Sequence, residues 1–198
     1  MFHRLLNSLP AFWLALSVPA IVIAGLYGAD GMSYGEVIHA SGEWSVRLLI
    51  VTLAATPLRL AFPRARWPSW LMRRRRALGV AVFGYALLHL AVYVARKQDL
   101  ALILEEGAEW DLLTGWLALA VFLPLAITSN DASLRLLKRM WKMLHRLVYP
   151  ATVLALLHWV LTAFDQTPAL VHAGIIALLE FVRLVLTLLR VRRPSAAA

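Results

Sequence analysis

Cysteine is absent from all 198 residues. That absence excludes disulfides, thiolate metal sites, iron–sulfur clusters and the covalent attachment of a c-type haem. Acidic residues are also scarce, 11 against 20 Lys and Arg, so the formal net charge is +9. An excess of that size raises the question of nucleic acid. Here the basic residues lie between apolar runs long enough to cross a bilayer, so they are read as topology signals, and no nucleic-acid partner is expected. With 61% hydrophobic residues and a mean hydropathy of +0.71, the chain is too apolar for an ordinary soluble domain.

The apolar runs fall at about 10–27, 44–60, 77–94, 112–128, 144–163 and 170–189. A hydrocarbon core needs about 20 helical residues, so the expectation is an all-α, polytopic membrane bundle of six transmembrane helices. Breakers separate the runs: Gly28 and Gly31, Pro57 and Pro63, Gly107, Ser129-Asn130-Asp131, and Pro168. No small-x-small cleavage site precedes the polar stretch from Ala29 to Ser33, so the first run is read as a retained span rather than a signal peptide.

Charge orients this bundle. One set of connections holds Arg4, Arg59, Arg64, Arg66, Arg73 to Arg76, Arg135, Lys138, Arg139, Lys142, Arg146, Arg190, Arg192 and Arg193. The other set holds Asp30, Glu36, Glu43, Asp99, Glu105, Glu106, Glu109, Asp111 and Asp165, against Arg96 and Lys97. The positive-inside rule places both termini in the cytoplasm, and a bacterial inner membrane is the expected location.

With no thiolate to hand, histidine is the remaining soft ligand. Among six histidines, His3 is a tail residue and His172 is read as interfacial. His89 lies 12 residues into the third run and His158 lies 14 into the fifth, which points the same way. At 1.5 Å per residue both reach roughly 20 Å above the basic edge. Two imidazoles at one depth on different helices are what a six-coordinate b-type haem requires. The rival reading is a pair of histidines hydrogen-bonded between helices.

His145 lies 13 residues before His158, roughly 20 Å lower, where a second haem would sit. An ideal helix would aim the two rings about 140° apart, and Pro150 between them offers a bend. Counting back 13 from His89 reaches Arg76, a guanidinium suited to a propionate or a flavin phosphate, or simply part of a topological run. His39 opens the second run, too shallow for an axial ligand, with pairing, capping or an electron exit route all open. Glu180 and Arg183 are spaced to pair on one helix face. Gly79, Ala81, Gly84 and Ala86 put small residues on the third run, allowing close helix contact or a flat macrocycle beside the backbone.

Several strings together resemble a known family. They are His39-Ala-Ser-Gly42-Glu43-Trp44-Ser-Val-Arg47-Leu-Leu49, Thr56-Pro57-Leu58-Arg59, Arg75-Arg76-Ala-Leu-Gly79, Tyr85-Ala-Leu-Leu-His89-Leu90, Leu-Ala-Ile-Thr128-Ser129, Trp141-Lys-Met-Leu-His145-Arg-Leu-Val-Tyr149 and Leu157-His158-Trp159. In this order, over about residues 10 to 190, the chain resembles the MsrQ (YedZ) family of the ferric-reductase-like transmembrane superfamily.

The resemblance implies a single haem-binding membrane domain over 1–198 that passes electrons. The donor would be the quinone pool or a cytoplasmic flavin reductase. The acceptor would be MsrP, the periplasmic molybdopterin subunit that reduces methionine sulfoxide in proteins. It also implies haem b at His89, His145 and His158, with His39 matching. One haem is expected and a second is left open. Flavin mononucleotide is associated with the family, with no flavin motif in this sequence. The wider superfamily carries two histidines on each of two helices, whereas the third run has one, with Arg76 near the other position. No FAD or NADPH domain is read in the sequence, so the electrons must come from another molecule. Alternatives are a ferric or cupric reductase that reduces metal chelates, and a cofactor-free transporter or assembly factor.

Overall fold

The computed structural model describes residues 8–191. His3, Arg4, Arg192 and Arg193 lie outside the described residues. Nine helices follow one another among them: α1 (Leu9–Gly28), α2 (Tyr34–Ala61), α3 (Arg66–Lys97), α4 (Leu100–Glu106), α5 (Trp110–Ile127), α6 (Asp131–Leu137), α7 (Arg139–His145), α8 (Val148–Thr162) and α9 (Thr167–Val191). Six segments are long and apolar enough to cross a membrane, with Arg139–Thr162 (α7 with α8) counting as one. The chain is thus an all-helical, multi-pass membrane protein, as the run lengths predict.

Three helix limits differ from expectation, each for a local reason. The second span begins at Tyr34, ten residues earlier than the apolar run. Ser33 accepts from the Glu36 N–H while the Glu36 carboxylate accepts from the Ser33 N–H, a reciprocal capping box. His39, Glu43 and Trp44 are therefore helical rather than loop or entry residues. The third span runs for 32 residues, about 48 Å, longer than the roughly 30 Å hydrocarbon core. Arginine is a good helix former, so Arg73 to Arg76 continue the helix instead of ending it. The fifth span breaks at Arg146 and Leu147, just before Pro150, which removes the single ideal helix on which the 140° offset rested.

Lipid is as apolar as leucine, so burying leucine adds little to helix association within the membrane. Close packing and interhelical hydrogen bonds do more. α2 is the central helix, with Ser41, Leu49, Leu53 and Ala55 shut away from the surface. It packs along α3 and against α9, while α5 packs along α8. The buried Ser45 hydroxyl donates to the Val82 carbonyl at 2.9 Å and joins α2 to α3. At the other end the Arg190 guanidinium donates to the Leu60 carbonyl at 2.8 Å, joining α9 to the end of α2. Within α9, Arg183 and Glu180 pair at 2.6 Å as their spacing predicts, and Arg183 also donates to the Tyr149 hydroxyl of α8.

α1 is the least embedded span, with Ile23 its only buried residue. Pro19 interrupts its hydrogen-bond ladder, and Tyr85 of α3 uses the opening. The Ala20 N–H donates to the Tyr85 hydroxyl at 3.0 Å, and that hydroxyl donates to the Leu16 carbonyl at 2.8 Å. The phenol is thereby inserted into the i to i−4 ladder of α1. Tyr85→Phe leaves both backbone groups without this partner, and α1 docking is expected to weaken by about 1 kcal/mol. The check is unfolding in mixed micelles with a probe on α1, and an unchanged midpoint would contradict the assignment.

Candidate functional site

Two helix pairs, α2 with α3 and α5 with α8, enclose a cavity of about 720 Å³ in the half of the bundle that carries the acidic residues. Its walls are largely apolar, with Val46, Leu90, Leu112, Leu119 and Phe122 among them. Both His89 of α3 and His158 of α8 line it. These two histidines, expected at equal depth, do come together: the ring centroids are 6.1 Å apart and the ring planes stand at 85°.

Each ring is held by a backbone carbonyl of a neighbouring helix. His89 Nδ1 lies 2.8 Å from the Ile38 carbonyl of α2, and His158 Nδ1 lies 2.7 Å from the Asp111 carbonyl of α5. A carbonyl only accepts, so each Nδ1 carries a proton, and in the neutral ring the lone pair belongs to Nε2. No hydrogen bond is made by either Nε2 among the described residues. A carbonyl on the other ring nitrogen is the arrangement that orients metal-ligating histidines. A nitrogen bound to a metal sits about 2.0 Å from it, with the ring centre about 1 Å further out, so two imidazoles on one metal have centres about 6 Å apart. The observed pair matches that spacing inside a cavity of cofactor size. The donor set therefore fits an iron held between two neutral imidazoles.

Above the pair, toward the acidic end, Glu43 gathers three cationic or potentially cationic groups. Arg47 donates to Glu43 Oε1 at 2.6 Å, while the Nε2 atoms of His39 and His172 each stand 3.9 Å from the carboxylate. The Trp159 ring lies between the two histidines, with centroids 5.9 Å from His39 and 4.9 Å from His172. His39 lines the cavity but is not drawn into the His89–His158 pair. His172, read as interfacial, has a side chain only 14% exposed. The register of α9 against α2 turns it inward, and no run length or spacing in the sequence carries that register. His172 Nδ1 donates to the Pro168 carbonyl at 2.7 Å, so its Nε2 is the nitrogen that faces Glu43.

The basic end is arranged differently, and neither His145 nor Arg76 lines the cavity. His145 stacks on Trp141, centroids 3.9 Å apart, and its Nε2 is 3.1 Å from the Thr128 hydroxyl. Trp141 Nε1 in turn donates to the Thr128 carbonyl at 2.9 Å. Arg76 is exposed and pairs with Asp131 at 2.5 Å, and its hydrogen bond and charge hold that carboxyl below the ordinary carboxylate range. The structure brings His89 and His158 together and leaves His145 and Arg76 each with a separate partner.

The family model described as "Ferric reductase like transmembrane component" matches residues 41–156, a stretch that contains His89 and ends two residues before His158. Over 157 residues the chain is 42% identical to the protein-methionine-sulfoxide reductase heme-binding subunit MsrQ of Xanthomonas axonopodis pv. citri (strain 306), covering 77% of this chain and 69% of that one. The chain belongs to the MsrQ family. The MsrQ protein of Brucella ovis (strain ATCC 25840 / 63/290 / NCTC 10512) is 38% identical over 176 residues, 86% of this chain and 76% of its own length. No solved structure matches. Membership of the MsrQ family accords with the resemblance read from the motif strings, which span the same helices.

The tautomers can be checked without any cofactor. In ¹⁵N-histidine-labelled, cofactor-free protein at neutral pH, the resonances of His89 and His158, assigned by single substitutions, are expected to report protonated Nδ1. Protonation at Nε2 in both rings would contradict the hydrogen bonds described.

Proposed function

We propose that this chain is a membrane b-type cytochrome that passes electrons across a bacterial inner membrane to a periplasmic methionine sulfoxide reductase subunit. One observation carries the reading: two imidazoles from different helices line one apolar cavity at the spacing of ligands on a single iron. The relatives' names, which describe a heme-binding subunit of a methionine-sulfoxide reductase, support it.

In this reading His89 and His158 hold a haem b through Nε2, and the whole chain acts as one haem-binding domain. The group would supply a reversible one-electron carrier whose potential depends on burial and axial ligands. The Ile38 and Asp111 carbonyls keep the Nδ1 protons in place and make both rings better donors. The apolar walls keep water from the metal. At the mouth, Arg47, His39 and His172 set positive or protonatable groups around Glu43, a setting suited to anionic propionates.

The charge distribution supports both termini in the cytoplasm, which puts the cavity in the periplasmic half, near a periplasmic acceptor such as the molybdopterin subunit MsrP. Electrons would enter from the opposite side, from a quinone or a cytoplasmic flavin reductase. His145 and Arg76 remain the candidates for a second site there. Occupancy would require His145 to leave Thr128 and Arg76 to leave Asp131, and an exposed ion pair opposes that by about 1 kcal/mol or less. Flavin mononucleotide draws no support from any grouping of side chains described above. Reduction of ferric or cupric chelates is the second reading, favoured by the ferric-reductase-like match.

Purified protein from haem-replete cells is expected to show a Soret band and a reducible b-type α band. His89→Ala and His158→Ala should each lose most of the bound haem by pyridine haemochrome assay, and normal haem content in both would sink the proposal. Full-rate reduction of a metal chelate with no periplasmic protein present would favour the chelate reductase instead.

A further inference from the structure

Glycine is the poorest helix former after proline, so a glycine inside a membrane helix invites a reason. For Gly25, Gly79, Gly84 and Gly174 a Cβ would meet nothing within 4 Å. The small residues of the third span that the sequence brought forward are therefore not points of tight contact at Gly79 and Gly84. Two other glycines within spanning helices are. A Cβ on Gly42 of α2 would stand 3.1 Å from His89 Nδ1 and 3.3 Å from its Cε1. A Cβ on Gly115 of α5 would stand 2.8 Å from His158 Nδ1, 2.9 Å from its Cε1 and 3.0 Å from its Cγ.

The hydrogen bonds repeat the same pattern. The carbonyl that holds His89 belongs to Ile38, four residues before Gly42, and the one that holds His158 belongs to Asp111, four residues before Gly115. Four residues are about one turn, so carbonyl and glycine lie one above the other on the same helix face. In both halves of the cavity an imidazole lies across one helical turn, its Nδ1–H on the first residue's carbonyl and its ring against the glycine of the next turn. The two seats are built alike on unrelated stretches of sequence. In each, a Cβ would strike the Nδ1 edge of the ring, the edge that makes the hydrogen bond. The ring could not retreat from it and keep the bond at its present length.

We propose that Gly42 and Gly115 are positioning residues, whose missing side chains seat the two imidazoles and fix the direction of each Nε2. The inference rests on the cytochrome reading above. It adds that the ligand geometry is set by helices α2 and α5, which contribute no ligand of their own. The two seats differ in tightness. At Gly42 the ring needs to give only a few tenths of an ångström, whereas at Gly115 the contact is shorter than real Cβ atoms tolerate.

The test uses the full chain purified from haem-replete cells as Gly42→Ala, Gly115→Ala and Gly84→Ala. Monodispersity and helical content report folding; haem per chain, midpoint potential and low-spin fraction of the oxidised spectrum report the site. Gly84→Ala, in open space and with a better helix former, should match wild type in all three site measurements. Gly115→Ala should hold haem about 10-fold more weakly, the low end of what losing the partner that orients a ligating histidine does, with a high-spin fraction appearing. Gly42→Ala should keep its haem with a shifted potential. If Gly115→Ala does not fold, Gly42→Ala decides: wild-type potential and low-spin fraction there overturn the proposal, as they would in both variants together. Silent glycine variants beside haem-depleted His89→Ala and His158→Ala would refute only the seating role. Haem-replete histidine variants would instead refute the cytochrome reading beneath it.

Discussion

A polar group inside a bilayer has to find its partner within the protein, and at the centre of this bundle two imidazoles do so through one nitrogen each. The bonds from His89 to the Ile38 carbonyl and from His158 to the Asp111 carbonyl decide which nitrogen is protonated. They also tie α3 to α2 and α8 to α5, the two pairs that enclose the cavity. With Nδ1 fixed, the remaining chemistry belongs to Nε2, and a lone pair on each of two facing rings is a ligand set for one metal.

The two ends of the bundle have different characters. The acidic end is open and lined with titratable groups, Glu43 at their centre, bridged by the Trp159 ring. At the basic end, Thr128 meets His145 through its hydroxyl and Trp141 through its carbonyl, while Asp131 meets Arg76. The His89–His158 pair with its cavity lies at one end, and individually satisfied side chains lie at the other. That asymmetry is why a single site at His89 and His158 carries the functional reading.

Much of this was legible in the sequence because helices convert residue counts into heights. Counting from the edge of each span put His89 and His158 at one level, and the same arithmetic gave six spans with nearly correct ends in α1 and α5. The early start of α2 could also have been read, since Ser33 followed by Glu36 is a capping signature; the polar stretch beyond it masked the continuation. The charge of the arginine run points to a connection, but arginine's helix propensity prevails and α3 runs through it. What could not be read is lateral: which face of α9 turns inward, bringing His172 to Glu43, and which of ten glycines lie under a side chain from another helix. Those depend on register between helices, and a single chain's periodicity carries no such information.

If His89 and His158 hold one iron between them, they do so with ring planes near a right angle. In an oxidised low-spin haem, the angle between the axial ring planes governs the spread of the g values, since perpendicular rings leave the iron's π orbitals nearly degenerate. Low-temperature electron paramagnetic resonance of the purified ferric protein measures it directly. Rings at 85° should give a highly anisotropic signal dominated by one very large g value. A rhombic three-line spectrum of parallel imidazoles, or a high-spin axial signal of a single ligand, would contradict it.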